Sequence, residues 1–313
     1  MVLVAAGQLS STSSLSTNLK QVLKLITKAV NLNAKVLFLP EASDYIAKNA
    51  AHSLKIARPM ETSVFVTGIQ SRLKELHSQG KALDVVVGIH EPAWKSPDDP
   101  HKRVKNLLIY INSTGNITRE YQKIHLFDIN IPQGPILQES NSVEPGNQVV
   151  APFDTPIGKL GLGICYDIRF PELAVKLRDM GAEILTYPSA FTVKTGAAHW
   201  HLLGRARAID SQSYVIMPGQ KGVHDVSIED DDASDPTKVV KCQAVNANEQ
   251  KRISYGHSII IDPWGTVVAE ASDINLNNDE PEIIVADIDL DNVKKIRRDM
   301  PLKDHRRREI FNN

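Results

Sequence analysis

Three side chains capable of acyl chemistry each sit where an apolar run stops. In Val36-Leu37-Phe38-Leu39-Pro40-Glu41 a buried-type strand passes through a proline into a glutamate. A carboxylate at such an edge loses part of its hydration, so its pKa is expected to rise and let it shuttle protons near neutrality. The competing assignment is a helix-capping or surface glutamate. In Glu120-Tyr121-Gln122-Lys123-Ile124-His125-Leu126-Phe127 a lysine follows a hairpin strand, where a solvated surface charge is the ordinary outcome. The third segment, Gly161-Leu162-Gly163-Ile164-Cys165-Tyr166-Asp167-Ile168-Arg169-Phe170-Pro171, ends a glycine-bearing strand at a cysteine, with a helix expected from Pro171. Unpaired backbone N–H groups there would favour a thiolate and cradle an oxyanion, although an isolated cysteine more often packs as a small core residue. Cys242 lies in a polar stretch and is read as incidental.

The elements that position these residues are legible as short runs of Val, Ile and Leu. Strands are expected at 2–9, 35–39, 84–89, 107–112, 117–121, 159–164, 183–187, 214–217, 258–262 and 266–269. Helical spacing links Leu19, Val22, Leu23, Ile26 and Val30, then Val64, Ile69, Leu73 and Leu76, then Leu173, Leu177 and Met180. Strand and helix alternate early, whereas strand follows strand near 84–121 and 258–287, so a layered, sheet-rich α/β domain is expected, with both crossovers and hairpins. Residues 1–313 read as one domain. Within it, 225–250, with Glu229-Asp230-Asp231-Asp232, reads as a mobile acidic surface insertion.

Bulk properties narrow the function. Lysine and arginine total 36 against 37 acidic residues, leaving no charge excess to hold a phosphate backbone or anionic lipid, so no nucleic-acid or membrane partner is expected. Two cysteines are too few for a disulfide framework and fit a reducing, cytoplasmic compartment. No Gly-x-Gly-x-x-Gly or phosphate-loop pattern supports a nucleotide cofactor.

Taken together, Pro40-Glu41-Ala42, Lys123-Ile124-His125-Leu126 and Ile164-Cys165-Tyr166-Asp167-Ile168-Arg169-Phe170-Pro171-Glu172 resemble the three motifs of the nitrilase superfamily of carbon–nitrogen hydrolases, in that chain order and as far as about Pro301. The resemblance implies a four-layer α-β-β-α sandwich, a homodimer, and no metal or organic cofactor. It implies Cys165 as nucleophile, Glu41 as general base and Lys123 as the cation beside the reacting oxygen. Glu139 and the Tyr166 backbone N–H are the implied supporting groups. Within the superfamily the chain is similar to the fungal and animal deaminated-glutathione amidase branch. The residues that carry this are Gly134-Pro135 ahead of Glu139, Tyr187-Pro188-Ser189-Ala190-Phe191-Thr192, His199-Trp200, Arg205-Ala206-Arg207-Ala208 and Tyr255-Gly256-His257-Ser258. The implied reaction frees 2-oxoglutarate and cysteinylglycine; the nearby ω-amidase branch, acting on 2-oxoglutaramate, is the alternative. Arg169 lies in the turn beside Cys165 and could hold the carboxylate of a small 2-oxo acid amide, with Phe191 and Thr192 lining the same pocket. An ion pair of Arg169 with Glu172 or Asp167 is the competing expectation.

Other classes fit less well. A papain-like enzyme needs flanking residues that Cys165 lacks. A metalloenzyme would draw on His199 and His201, but residues two apart on a helix diverge. A non-catalytic binding protein on the same fold remains a rival. Arg306-Arg307-Arg308 reads as a solvated or dimer-contacting terminus.

Overall fold

The computed structural model describes residues 1–94, 96, 99, 102–130, 136–230, 239–241, 252–272 and 280–311. Two sheets dominate. The first contains β1 (Val2–Gln8), β2 (Val36–Phe38), β3 (Asp84–Pro92), β4 (Val104–Ile111), β5 (Ile117–Gln122) and β19 (Glu282–Ile288) in the order β19-β1-β2-β3-β4-β5, with β8 (Val143–Glu144) beside β4. The second contains β9 (Phe153–Thr155), β10 (Gly158–Leu162), β11 (Ile184–Thr186), β12 (Tyr214–Met217), β17 (Ile259–Ile261) and β18 (Val267–Glu270) in the order β18-β17-β12-β11-β10-β9. β1, β2 and β3 run parallel, as do β10, β11 and β12, and antiparallel strands flank each trio. The two sheets thus repeat one connectivity that no sequence repeat announces.

Side-chain alternation builds three cores from these two sheets. Val4, Ala6, Val36, Phe38, Val86 and Leu108 face Leu160, Leu162, Ile184, Ile216 and Ile260 across the space between the sheets. Their neighbours Ala5, Leu37, Val85, Val87 and Ile109 pack outward against α1 (Leu15–Asn31) and α3 (Val64–Ser78). Leu185, Val215, Met217, Ile259 and Ile261 pack outward against α4 (Pro171–Asp179) and α5 (Val193–Ser211). The result is the expected four-layer α-β-β-α sandwich. α2 (Ala50–Ile56) and the C-terminal helices α6 (Leu290–Asp299), α7 (Leu302–His305) and α8 (Arg308–Phe311) complete the helices of the described residues. None is long and apolar enough to cross a membrane.

The anticipated strands form, shifted by a residue or a few at their ends, and Pro171 opens α4 as its fixed φ favours. The expectation misses α5. Its buried residues are Gly196, Trp200, Gly204, Arg207, Ala208 and Ser211, helical in spacing but, Trp200 apart, small or polar. A Cβ on Gly204 would lie 2.5 Å from the Met217 sulfur, so the glycine lets the helix settle closely on β12.

The acidic insertion carries one further strand pair. Beyond the ribbon of β13 (Lys221–Val223) and β16 (Ile253–Tyr255), β14 (Ile228–Asp230) pairs with β15 (Val239–Lys241). Hairpin β6 (Asp128–Asn130) and β7 (Ile136–Gln138) is the remaining pair. Residues 231–238 and 242–250 of the insertion, with Cys242, and Gly134-Pro135 lie outside the described residues.

Candidate active site

The parallel strands of both sheets end at one place, where α/β sheets commonly bind ligands. Glu41 follows β2, Cys165 follows β10 and Ala190 follows β11, while Lys123 follows the antiparallel β5. Close backbone packing holds the Glu41 turn. Gly88 in β3 donates to the Pro40 carbonyl at 3.2 Å and accepts from Ser43 N–H at 2.9 Å. A side chain at 88 would lie 2.6 Å from the Glu41 Cα, so only glycine fits there. From the other sheet, the buried Gln220 amide donates to the carbonyls of Glu41 and Ala42 at 3.0 and 3.1 Å.

Cys165 has a φ of 45°, a left-handed conformation that costs a non-glycine residue roughly 1–2 kcal/mol. Its N–H donates to the Pro188 carbonyl at 2.9 Å, and a 3₁₀ turn runs from Cys165 to Arg169 before α4. The strained turn lifts the thiol out of the strand direction, and strain of this kind clusters at functional sites.

Asp167, fully buried, ties this turn to the lysine segment. One oxygen accepts from Ile164 N–H at 2.8 Å and Tyr121 O–H at 2.6 Å. The other accepts from His125 N–H at 3.1 Å and pairs with His125 Nδ1 at 2.7 Å. Tyr121 and His125 flank Lys123, so one carboxyl fixes the spacing between Lys123 and Cys165. Asp167→Asn places an amide donor against two existing donors in either orientation. We expect it to lower the unfolding free energy by about 2–3 kcal/mol and kcat by on the order of 10²-fold through misplacement. Denaturant titration and steady-state kinetics check this; wild-type values for both would remove the assigned role.

At the centre, Lys123 Nζ donates to Glu41 Oε1 at 3.0 Å and to both Glu139 oxygens at 2.9 and 3.0 Å. Asn106 Nδ2 donates to Glu41 at 2.9 Å, and Ala190 N–H donates to its other oxygen at 3.0 Å. Phe127 N–H holds Glu139 at 2.7 Å. Asn106 was not anticipated, although a buried amide interrupting the apolar strand Val104–Ile111 is itself a signal.

These contacts set the protonation states. Burial pushes the Glu41 carboxyl up, but the Lys123 charge and the hydrogen bonds from Cys165, Lys123 and Asn106 outweigh it and hold the pKa below the ordinary glutamate value. Burial opposes the Lys123 ammonium, yet Glu41 and Glu139 together raise its pKa well above the ordinary range. Burial and the Glu41 charge push the Cys165 thiol well up, and Lys123 counters only in part. The resting site is carboxylate, ammonium and thiol. Both sequence expectations, a raised glutamate and a favoured thiolate, are thereby corrected: Lys123 outweighs burial at Glu41, and burial with the Glu41 charge disfavours the thiolate at Cys165.

A carbon–nitrogen hydrolase family model matches residues 3–298. The chain belongs to the carbon-nitrogen hydrolase family. The hydrolase is 42% identical to the probable hydrolase nit2 of Schizosaccharomyces pombe, covering 99% of both chains. It is 40% identical to the deaminated glutathione amidase of Mus musculus, covering 99% of this chain and 84% of that protein. Among solved structures it matches the Caenorhabditis elegans NitFhit protein at 34% identity and a TM-score of 0.79, over 99% of this chain and 66% of that longer one. It also matches Saccharomyces cerevisiae Nit3, a member of branch 10 of the nitrilase superfamily, at 29% identity and a TM-score of 0.71, over 98% and 97% of the two chains. The hydrolase therefore cleaves carbon–nitrogen bonds of the amide class.

Around the centre of the hydrolase, Phe127 and Phe170 meet the Tyr166 ring edge-on at 5.0 and 5.4 Å. The Arg169 guanidinium lies 5.8 Å from the Tyr166 ring and 5.9 Å from the Phe191 ring, and its Nη2 is 3.1 Å from His199 Nδ1. No ion pair of Arg169 with Glu172 or Asp167 occurs among the described residues, and the Asp167 oxygens are occupied as above. Thr192 does not join this group; it is exposed and its side chain caps α5 by accepting from Thr195 N–H. Ser189 is buried with its hydroxyl donating to the Tyr187 carbonyl, so it shapes the turn.

Proposed function

We propose that the chain hydrolyses the amide of deaminated glutathione to 2-oxoglutarate and cysteinylglycine through a thioester on Cys165. The observation that carries this is the buried Lys123 ammonium clamped between two carboxylates, one of which, Glu41, is hydrogen-bonded to the Cys165 thiol. Glu41 takes the thiol proton as sulfur attacks the amide carbon. Lys123 and the Tyr166 N–H then stabilise the oxyanion. Collapse breaks the carbon–nitrogen bond as Glu41 returns the proton to the departing amine. Water, activated by the same carboxylate, then releases the acid from the thioester and restores the thiol. Glu139 holds Lys123 charged and in place. None of these steps calls on a metal or organic cofactor.

Substrate choice rests on Arg169 and on relatives that bear the name deaminated glutathione amidase at 38–40% identity. A guanidinium flanked by two aromatic rings offers a planar fork for the carboxylate of the oxo acid. Arg169→Lys is expected to raise KM by on the order of 10- to 100-fold with little change in kcat, since an ammonium cannot reproduce that fork. An unchanged KM would remove the clamp. In a panel of 2-oxo amides, deaminated glutathione should show the highest kcat/KM. Equal or better turnover of 2-oxoglutaramate would assign the chain to the ω-amidases.

A homodimer is part of the same proposal. Val193, Leu202 and Ile209 on α5 and Trp264 and Val268 beside β18 are exposed, an apolar set that a second copy would cover. Sedimentation at twice the 34.6 kDa chain mass is expected; a monomer at micromolar concentration would contradict it. The two-cysteine composition supports a cytoplasmic location.

A further inference from the structure

His199 and His201 diverge on α5 as their spacing requires, His199 toward Arg169 and His201 toward a different group. His201 Nε2 and His257 Nδ1 both lie 2.8 Å from Glu270 Oε1, and the three donor atoms are all within 4.8 Å of one another. They come from three elements: α5, the loop after β16, and the end of β18. We propose that His201, His257 and Glu270 form a binding site for one divalent transition ion of the zinc class, separate from the Glu41–Lys123–Cys165 centre.

Two imidazoles and one carboxylate are the donor set that borderline ions such as zinc and cobalt take, whereas magnesium and calcium require oxygen-rich sites. Three protein ligands leave a fourth tetrahedral position for water. Bonds of about 2.1 Å place tetrahedral donors about 3.4 Å apart. The two nitrogen-to-oxygen spacings of 2.8 Å would open slightly and the widest spacing would close, adjustments that a rotation of the His201 ring allows, since that side chain is 36% exposed.

The other imidazole is held. His257 sits at a φ of 55°, its ring stacks on Tyr255 at 4.3 Å, and its carbonyl accepts from Trp200 Nε1 at 2.7 Å. A non-glycine residue in that conformation stores backbone strain that its surroundings must enforce. The same ring is linked to the pocket wall. Trp200 meets Phe191 edge-on at 5.1 Å, and Tyr255 N–H donates to the Phe191 carbonyl at 2.8 Å. A bound ion would brace Phe191 without entering the chemistry, and this inference stands whether or not the substrate proposal does.

The test is calorimetric titration of zinc chloride into the full chain with Cys165→Ser and Cys242→Ser, which removes both thiols as competing ligands. The expected result is one zinc per chain with a rise in Tm. Adding Glu270→Gln, which keeps shape and removes charge, or His201→Ala should weaken binding at least about tenfold and abolish the rise, as loss of a ligand does. Cobalt(II) provides a second readout, a four-coordinate visible absorption present in the parent and absent in Glu270→Gln. Equal zinc affinity with and without these substitutions, or no saturable binding in the parent, would overturn the proposal and leave a hydrogen-bonded cluster only.

Discussion

Cys165→Ser should fold as the wild type does and lose turnover by on the order of 10³-fold or more. The size of the effect follows from the resting protonation states. The site does not store a thiolate: the thiol is pushed up by burial and by the Glu41 charge, and proton transfer to Glu41 must accompany attack. A serine hydroxyl is far less acidic than a thiol and a weaker nucleophile, so the same carboxylate cannot activate it comparably. The side chain is of similar size, and the hydrogen bond that holds the turn comes from the backbone of residue 165. Unfolding midpoints of the two proteins should therefore agree. Turnover within tenfold of wild type would remove Cys165 from the chemistry.

Lys123→Met is the second large effect, expected at about 10²–10⁴-fold in kcat. It removes the cation beside the developing oxyanion, and it also leaves the buried Glu41 and the partly buried Glu139 as neighbouring carboxyls without their counter-charge. The Glu41 pKa should then rise, because burial raises it and the largest opposing influence is gone. In wild type the depressed pKa keeps Glu41 ionised down to a pH below the ordinary glutamate value, so the acid limb of kcat/KM should lie there. In Lys123→Met the limb should move to higher pH. Glu41→Gln, which cannot shuttle a proton, should cost about 10²–10⁴-fold without that displacement. An unshifted acid limb in Lys123→Met would show that the ammonium does not set the ionisation of Glu41.

Glu41 and Cys165 were noticed because each follows a strand rich in Val, Ile and Leu, but alone each of the two, like Lys123, fits an ordinary structural role, and the order Glu41, Lys123, Cys165 became legible only through the motif resemblance. Glu139 entered through the motif resemblance, and the structure places it on Lys123. The partners that hold these groups were not legible, for a geometric reason. Asp167 meets Tyr121 46 positions earlier, and Gln220 reaches Glu41 from 179 positions away, so no local pattern records either contact. The pKa directions failed for a related cause. An apolar strand signals burial, but whether burial raises or lowers a carboxyl depends on which charges come with it, and Lys123 arrives from another strand. α5 escaped because its buried residues are, Trp200 apart, small or polar, while Leu202 and Ile209 face outward. A layered, sheet-rich α/β domain was legible from ten short runs rich in Val, Ile and Leu with helical stretches between them, while the four-layer α-β-β-α arrangement came from the motif resemblance.

The most direct measurement is acid quenching of the enzyme during turnover of deaminated glutathione, followed by peptide mass analysis. A thioester pathway predicts a 2-oxoglutaryl adduct on the peptide carrying Cys165, present in the steady state, lost on further incubation, and absent from Cys165→Ser. Turnover with no adduct under conditions that preserve a thioester, or an adduct confined to Cys242, would contradict it.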